Sequence, residues 1–358
     1  MRHRSWILIA ALVVPFFLQA GPPAASPDPL AAPAELQSWV RQVTFHADST
    51  RGKVQAILDA TFRTPEDHGL GMVYDNTHTR TVQEVWKERK ANCLGLTAFM
   101  VAACKSMGLE ARFAEPVNLN HWKREGQLIR LERHLVALIS VAPMGDVVAD
   151  FLPQLRQRQG TYIVDTLHES RVRALFHSNR AVELMVEGDL EGAAESSRVA
   201  VQTDPTASAA WNIQGVVQRA LKQDALAEVS YRKAFALDPK DGAPIGNLEQ
   251  LLKDLGRAGE AAQFRVLALE TRKRDPYFNA FLAQEASREG RLADALDLIH
   301  TAIKLLPYDS ELYLAEAQFR LEQGKPKEAR KSLEKARRWA QPQERERYDS
   351  KLALLAKL

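Results

Sequence analysis

The chain has 358 residues, more than one ordinary domain holds and enough for about two. With 46% hydrophobic and 26% charged residues its composition is globular, which excludes wholesale disorder and a fibrous repeat. A net charge of +3, from 48 Lys and Arg against 45 Asp and Glu, gives no electrostatic footprint for nucleic acid, and two cysteines are too few for a disulfide framework or a Cys-rich zinc site.

At the N-terminus, Arg2 and Arg4 precede an uncharged apolar run over 6–17, and Leu18-Gln19-Ala20 offers a cleavage point, with Ala24 and Ala25 as later alternatives. A basic start, a short apolar stretch and a small-residue boundary describe a secretory signal peptide over 1–25. The apolar run is shorter than the ~20 residues a spanning helix needs, and Pro15 interrupts it. Membrane contact is therefore expected only transiently, during export, and no cysteine follows the run to carry a lipid. The expected destination is a bacterial periplasm. Residues 26–36, rich in Pro and Ala over 26–33, read as a flexible linker.

A first domain is expected over 37–170. Segments 53–62 and 81–90 carry apolar residues at helical spacing. Asn92-Cys93 opens a third helix through Leu94, Leu96, Phe99, Met100, Ala103 and Met107, ended by Gly108. Extended runs follow at 111–117, 128–141 and 147–151, with a fourth at 161–164. Helices first and strands afterwards predict an α+β domain with an antiparallel sheet. His121-Trp122 falls between two of these runs and reads as a surface loop, with a place lining a cleft as the alternative.

Cys93 and Cys104 lie on one predicted helix, separated by roughly 16 Å along its axis, whereas a disulfide tolerates at most about 7 Å between Cα atoms. Each thiol is thus expected to be free. Cys104, among Ala102, Ala103 and Met107, reads as core. Cys93 stands at a helix N-terminus, where unsatisfied amides and the helix dipole favour an anion. His134 follows in one extended run and Asp150 in the next. A nucleophilic thiol needs an imidazole beside it, and the imidazole needs a carboxylate to fix its tautomer. His168 and His177 have no partner at metal-ligand spacing, and neither a metal nor a cofactor is implied.

The second half repeats. Alanine recurs every 34 residues at Ala193, Ala227, Ala261, Ala295 and Ala329, and again at Ala200, Ala234, Ala268, Ala302 and Ala336. Gly188, Gly256, Gly290 and Gly324 share a third register, with Lys222 in its second slot, and Pro205, Pro239 and Pro307 share a fourth. Two alanines seven apart put small side chains on one helix face, a glycine supplies the turn, and a proline closes the unit: the pattern of a helical hairpin. It resembles the tetratricopeptide repeat, as five units at 174–207, 208–241, 242–275, 276–309 and 310–343. Trp211, Gly215 and Tyr231 fill the family's aromatic and small positions, and Glu249 stands where a small residue is usual. Residues 344–358 read as a capping helix. The resemblance implies an all-α solenoid that binds a protein or peptide along its concave face.

Through Ala91-Asn92-Cys93-Leu94-Gly95, the segment 107–113, His134-Leu135-Val136-Ala137 and Val147-Val148-Ala149-Asp150-Phe151, the first domain resembles the transglutaminase-like superfamily, a cysteine-proteinase-like α+β fold. The resemblance implies Cys93 as nucleophile, His134 as general base and Asp150 as its orienter, with Asp146 and Asp165 as rivals for the third place and the Cys93 N–H as oxyanion donor. It looks closest to exported bacterial proteins that join such a domain to these repeats. Two functions follow: a thiol enzyme acting on amides through an acyl-thioester, or a non-catalytic adaptor of an envelope assembly whose repeats do the work.

Overall fold

The computed structural model describes residues 28–116, 121–125, 128–132, 134–143, 145–151, 164–340 and 345–355; the expected signal peptide lies outside them. The first domain begins with four helices, α1 (Ala34–Val43), α2 (Thr50–Phe62), α3 (Val82–Glu88) and α4 (Cys93–Lys105). Ser49 starts α2 by accepting the Gly52 N–H, and Thr81 with Glu84 forms a reciprocal capping box on α3. A two-residue parallel pair, β1 (Val73–Tyr74) with β2 (Lys90–Ala91), fixes the chain just before α4.

The expected linker is corrected here. Leu36 and Val40 of α1 are fully buried, and Trp39 meets Trp86 of α3 and Phe99 of α4 at 6.0 and 5.9 Å. The segment ahead of α1 is tied down as well. The Pro29 carbonyl accepts the Val82 N–H, Leu30 packs on the core, and Asp28 takes both arms of Arg173 at 2.8 Å. Residues 28–36 therefore belong to the domain.

Six strands follow among the described residues: β3 (Ala111–Pro116), β4 (His121–Glu125), β5 (Leu128–Glu132), β6 (Val136–Ser140), β7 (Asp146–Ala149) and β8 (Val164–Leu167). Four of them form an antiparallel sheet in the order β7-β6-β3-β8. Helix α4 is apolar on nearly every side and lies against this sheet. Phe99, Met100 and Cys104 share one core with Phe113, Ile139 and Phe151. Three expectations change. His121-Trp122 sits in strand β4, hydrogen-bonded along its length to β5, and not in a loop. The extended run 128–141 is two strands in different sheets, with His134 between them. Of the run at 161–164 only Val164 is described, as the start of β8.

Five helical hairpins then stack: α5 (Glu169–Glu187) with α6 (Leu190–Thr203), α7 (Ser208–Ala220) with α8 (Asp224–Leu237), α9 (Gly242–Asp254) with α10 (Ala258–Arg272), α11 (Pro276–Arg288) with α12 (Leu292–Leu305), and α13 (Ser310–Glu322) with α14 (Pro326–Trp339). The terminal α15 (Arg345–Leu355) buries Tyr348 against the last pair. The turn within each hairpin has one residue at positive φ, namely Gly188, Lys222, Gly256, Gly290 and Gly324, each followed by an N–H that reaches back to a carbonyl of the last helical turn. This is one helix-stop motif repeated five times.

Equivalent positions carry equivalent contacts in different chemistry. A Cβ on Gly215 would meet the Tyr231 ring at 2.6 Å, so α7 and α8 approach closely there. At the same two positions one repeat on, Glu249 accepts from Arg265 at 3.2 Å, and further on Ala283 shares a core with Ile299 and Ala317 with Leu333. Trp211, Asn279 and Tyr313 likewise occupy one register, and each donates to the carbonyl six residues back, at 2.9, 2.9 and 3.0 Å.

The first repeat starts earlier than its period implied. Helix α5 begins at Glu169, so both the expected domain end at 170 and the expected repeat start at 174 fall inside it. Its first turns bury Val172 and Phe176 in the core of the first domain, and Lys105 of α4 holds Glu169 at 2.6 Å.

Candidate functional site

Cys93 is the first residue of α4, half-buried, and its N–H is among the first-turn amides that have no acceptor within the helix. Asn92 makes the helix start. Its Oδ1 accepts the Gly95 N–H at 3.0 Å while its Nδ2 donates to Thr79 Oγ1 at 3.0 Å. Gly95 has no room for a side chain, because a Cβ would stand 2.8 Å from that of Ala91 and 3.1 Å from Val85. Ala91, fully buried two residues before the cysteine, is thus accommodated by the glycine that faces it.

His134 is held just ahead of β6. The neighbouring Leu135 carbonyl accepts the Thr97 hydroxyl of α4 at 3.1 Å, a bond that ties the histidine's strand to the cysteine's helix. The side chain is 2% exposed. Its Nε2 lies 2.6 Å from Oδ1 of Asp150, the residue that follows β7, and both side chains are buried. Nδ1, on the other side of the ring, is buried and makes no other hydrogen bond among the described residues; the Cys93 side chain is the group that interacts with the ring there. Burial, the strongest single influence, favours the neutral ring. The Asp150 hydrogen bond and then the neighbouring Cys93 side chain outweigh it, and His134 is pushed up to about 9.

The rivals of Asp150 are engaged elsewhere. Asp146 accepts from Arg112 at 3.0 Å and from Ser140 at 2.9 Å, and Asp165 lies exposed in β8 opposite Glu115. Cys104 is buried in apolar surroundings that push its thiol up to about 12. His168 starts α5 by accepting the Ser170 N–H, and His177 is lowered by burial. A cleft of about 520 Å³ opens beside Asp150, between α2 and β7, lined by Leu58, Phe62, Arg63 and Val148. It meets the carboxylate and not the thiol. Among the described residues no cluster of His, Cys, Asp or Glu could hold a metal ion, and no helix is long and apolar enough to cross a membrane.

Sequence reasoning missed Thr79 and Glu183. Thr79 is buried, and its N–H donates to Glu183 Oε1 of α5 at 2.7 Å, across 104 residues of chain. No local pattern signals such a bond.

Residues 33–150 match the model of the transglutaminase-like superfamily, and residues 286–358 match that of the tetratricopeptide repeat. No curated protein sequence matches the chain. Among solved structures it is similar to pilF of Pseudomonas aeruginosa, at 20% identity and a TM-score of 0.30, over 53% of this chain and 91% of that one. YrrB, described as a TPR protein with an unusual peptide-binding site, is 23% identical over 51% of this chain and 91% of its own, with a TM-score of 0.27. MamA of Desulfovibrio magneticus RS-1 is 14% identical over 49% and 95%, also at 0.27. The chain thus joins a domain of the transglutaminase-like superfamily to a solenoid of tetratricopeptide repeats.

Proposed function

We propose that the protein is a thiol enzyme acting on amide bonds, with Cys93 as nucleophile, His134 as proton carrier and Asp150 as the group that orients and charges the imidazole. The observation that carries this reading is the arrangement around His134. One ring nitrogen is committed to a buried carboxylate at 2.6 Å, while the other is buried and engaged by no group but the neighbouring Cys93 side chain, which helps to hold the ring charged. Cys93 Sγ, as thiolate, attacks the carbonyl carbon, and the Cys93 N–H stabilises the developing oxyanion. The C–N bond breaks as His134 Nδ1 gives its proton to the departing amine. Water or a second amine, deprotonated by Nδ1, then attacks the thioester carbon, and the thiolate leaves. Asp150 stabilises the imidazolium throughout without taking the proton.

The repeats would hold a protein or peptide that carries the amide, and the charged and apolar leader supports an exported enzyme. The test is alkylation of the mature protein by iodoacetamide at pH 7, read by mass spectrometry. Cys93 is expected to react, Cys104 to stay unmodified, and His134→Ala to slow Cys93 by at least about tenfold. A Cys93 rate that is the same with and without His134 would sink the enzyme reading and leave the repeats as the working part. With a substrate in hand, Cys93→Ala should form no acyl-enzyme while still binding.

A further inference from the structure

The helix start that carries Cys93 is braced from the other half of the chain. Glu183, on the first helix of the solenoid, accepts the Thr79 N–H at 2.7 Å; the Thr79 hydroxyl accepts from Asn92 Nδ2 at 3.0 Å; Asn92 Oδ1 accepts the Gly95 N–H at 3.0 Å. Three hydrogen bonds in series therefore join α5 to the first turn of α4, one residue from the thiol. The far end is itself fixed: Glu183 is largely buried and its second oxygen accepts from Arg180 at 2.5 Å. So is the middle, where buried Arg80 clamps the loop through Asp75 at 3.0 Å and Glu88 at 2.7 Å.

An Asn that capped the helix alone could rotate its amide about the one bond it makes. Here the amide is held at both ends, so the orientation of Asn92, and of the residue after it, is set by where Thr79 stands. Thr79 in turn stands where Glu183 holds it. For a nucleophile this matters more than for a core residue, since a displacement of about 1 Å can change a rate on the order of a hundredfold.

We infer that Glu183 is a positioning residue for Cys93, acting through Thr79 and Asn92, so that the first repeat is part of the scaffold of the thiol site. The inference rests on reading Cys93 as the nucleophile. It makes the solenoid more than a recruiting arm, because the helix that packs against the second repeat also sets the thiol.

The experiment is the pH profile of Cys93 alkylation by iodoacetamide in the full mature chain, with thermal unfolding measured beside it. Glu183→Ala and Thr79→Val should each lower the plateau rate on the order of tenfold without changing the shape of the profile. Glu183→Gln keeps the Oε1 acceptor and should restore the rate to within about twofold. The Glu183→Ala, Thr79→Val double variant should be no slower than the slower single, as two breaks in one chain must be. A wild-type rate in a folded Glu183→Ala protein, a Gln variant as slow as Ala, or losses that multiply in the double variant would overturn the inference. Should Glu183→Ala fail to fold, Thr79→Val, which leaves the Glu183 bond intact, decides alone. A His134→Ala profile identical to wild type would instead remove the nucleophile reading, which separates the two failures.

Discussion

In the solenoid the contact between Gly215 and Tyr231 recurs 34 residues later as Glu249 against Arg265, and then as Ala283 in the core with Ile299. The N-terminal domain builds its contacts singly and over long stretches of chain. Thr97 reaches Leu135 across 38 residues, and Thr79 reaches Glu183 across 104. A repeated contact can change its chemistry, from an aromatic ring on glycine to an ion pair, because its neighbours hold the frame. A contact made once has no such support, and a thiol site needs several of them correct together. The comparison teaches where damage should stay local and where it should spread.

The largest effect is expected in the solenoid and should be confined there. Tyr231 is buried against the backbone of α7, and Tyr231→Ala would leave a cavity costing about 3–5 kcal/mol. Because each repeat touches chiefly its neighbours, amide exchange should quicken in α7 to α10 and remain slow in α13 and α14. Equal loss of protection across all five hairpins would show the solenoid to be one cooperative block, and the contrast with the first domain would fail.

A buried pair in the first domain should respond to pH across a defined window. His134 is raised in the folded state, to about 9, from an ordinary value near 6.5. Its stabilising contribution is therefore complete below about 6.5 and is lost as pH rises through about 9. The difference amounts to about 3 kcal/mol, since the ring is almost wholly buried and solvent screens it little. Urea unfolding of wild type and Asp150→Asn at pH 6.5 and 9.5 should show a gap between them that narrows at the higher pH. A gap of constant size would mean that the carboxylate does not sustain the imidazolium.

The two halves were also unequally legible. Alanine registers at 34 fixed the hairpins of the solenoid because the signal is written five times, and Lys222 stood out as a departure only against four glycines. In the first domain, local chemistry showed the start of α4, where Asn92 precedes an apolar run and caps it. Helix α1 carried a readable stripe, Leu36, Trp39, Val40 and Val43, but the proline-rich segment before it suggested a linker that the fold does not contain. The run 128–141 read as one strand because periodicity does not mark where a chain leaves one sheet for another. The approach of His134 to Asp150 followed from what a nucleophilic thiol requires and from the family resemblance, whereas the bond between Thr79 and Glu183 had no sequence signal at all.

The smallest effect sharpens the comparison from the side of the repeats. Lys222 adopts φ +62°, as Gly188, Gly256, Gly290 and Gly324 do at the same register with φ between +72° and +88°. A side chain in that conformation costs roughly 1–2 kcal/mol. Glycine removes that strain but loses more freedom on folding, an opposing term of roughly 0.5–1 kcal/mol. Relief outweighs entropy, so Lys222→Gly should stabilise the second repeat by about 0.5–1 kcal/mol, visible as a small rise in its unfolding midpoint. The frame, on this account, tolerates a poor residue in one turn because four good turns surround it. If the substitution destabilises the protein, the Lys222 side chain makes a contact worth more than the strain, and the second turn is a specialised position rather than a tolerated exception.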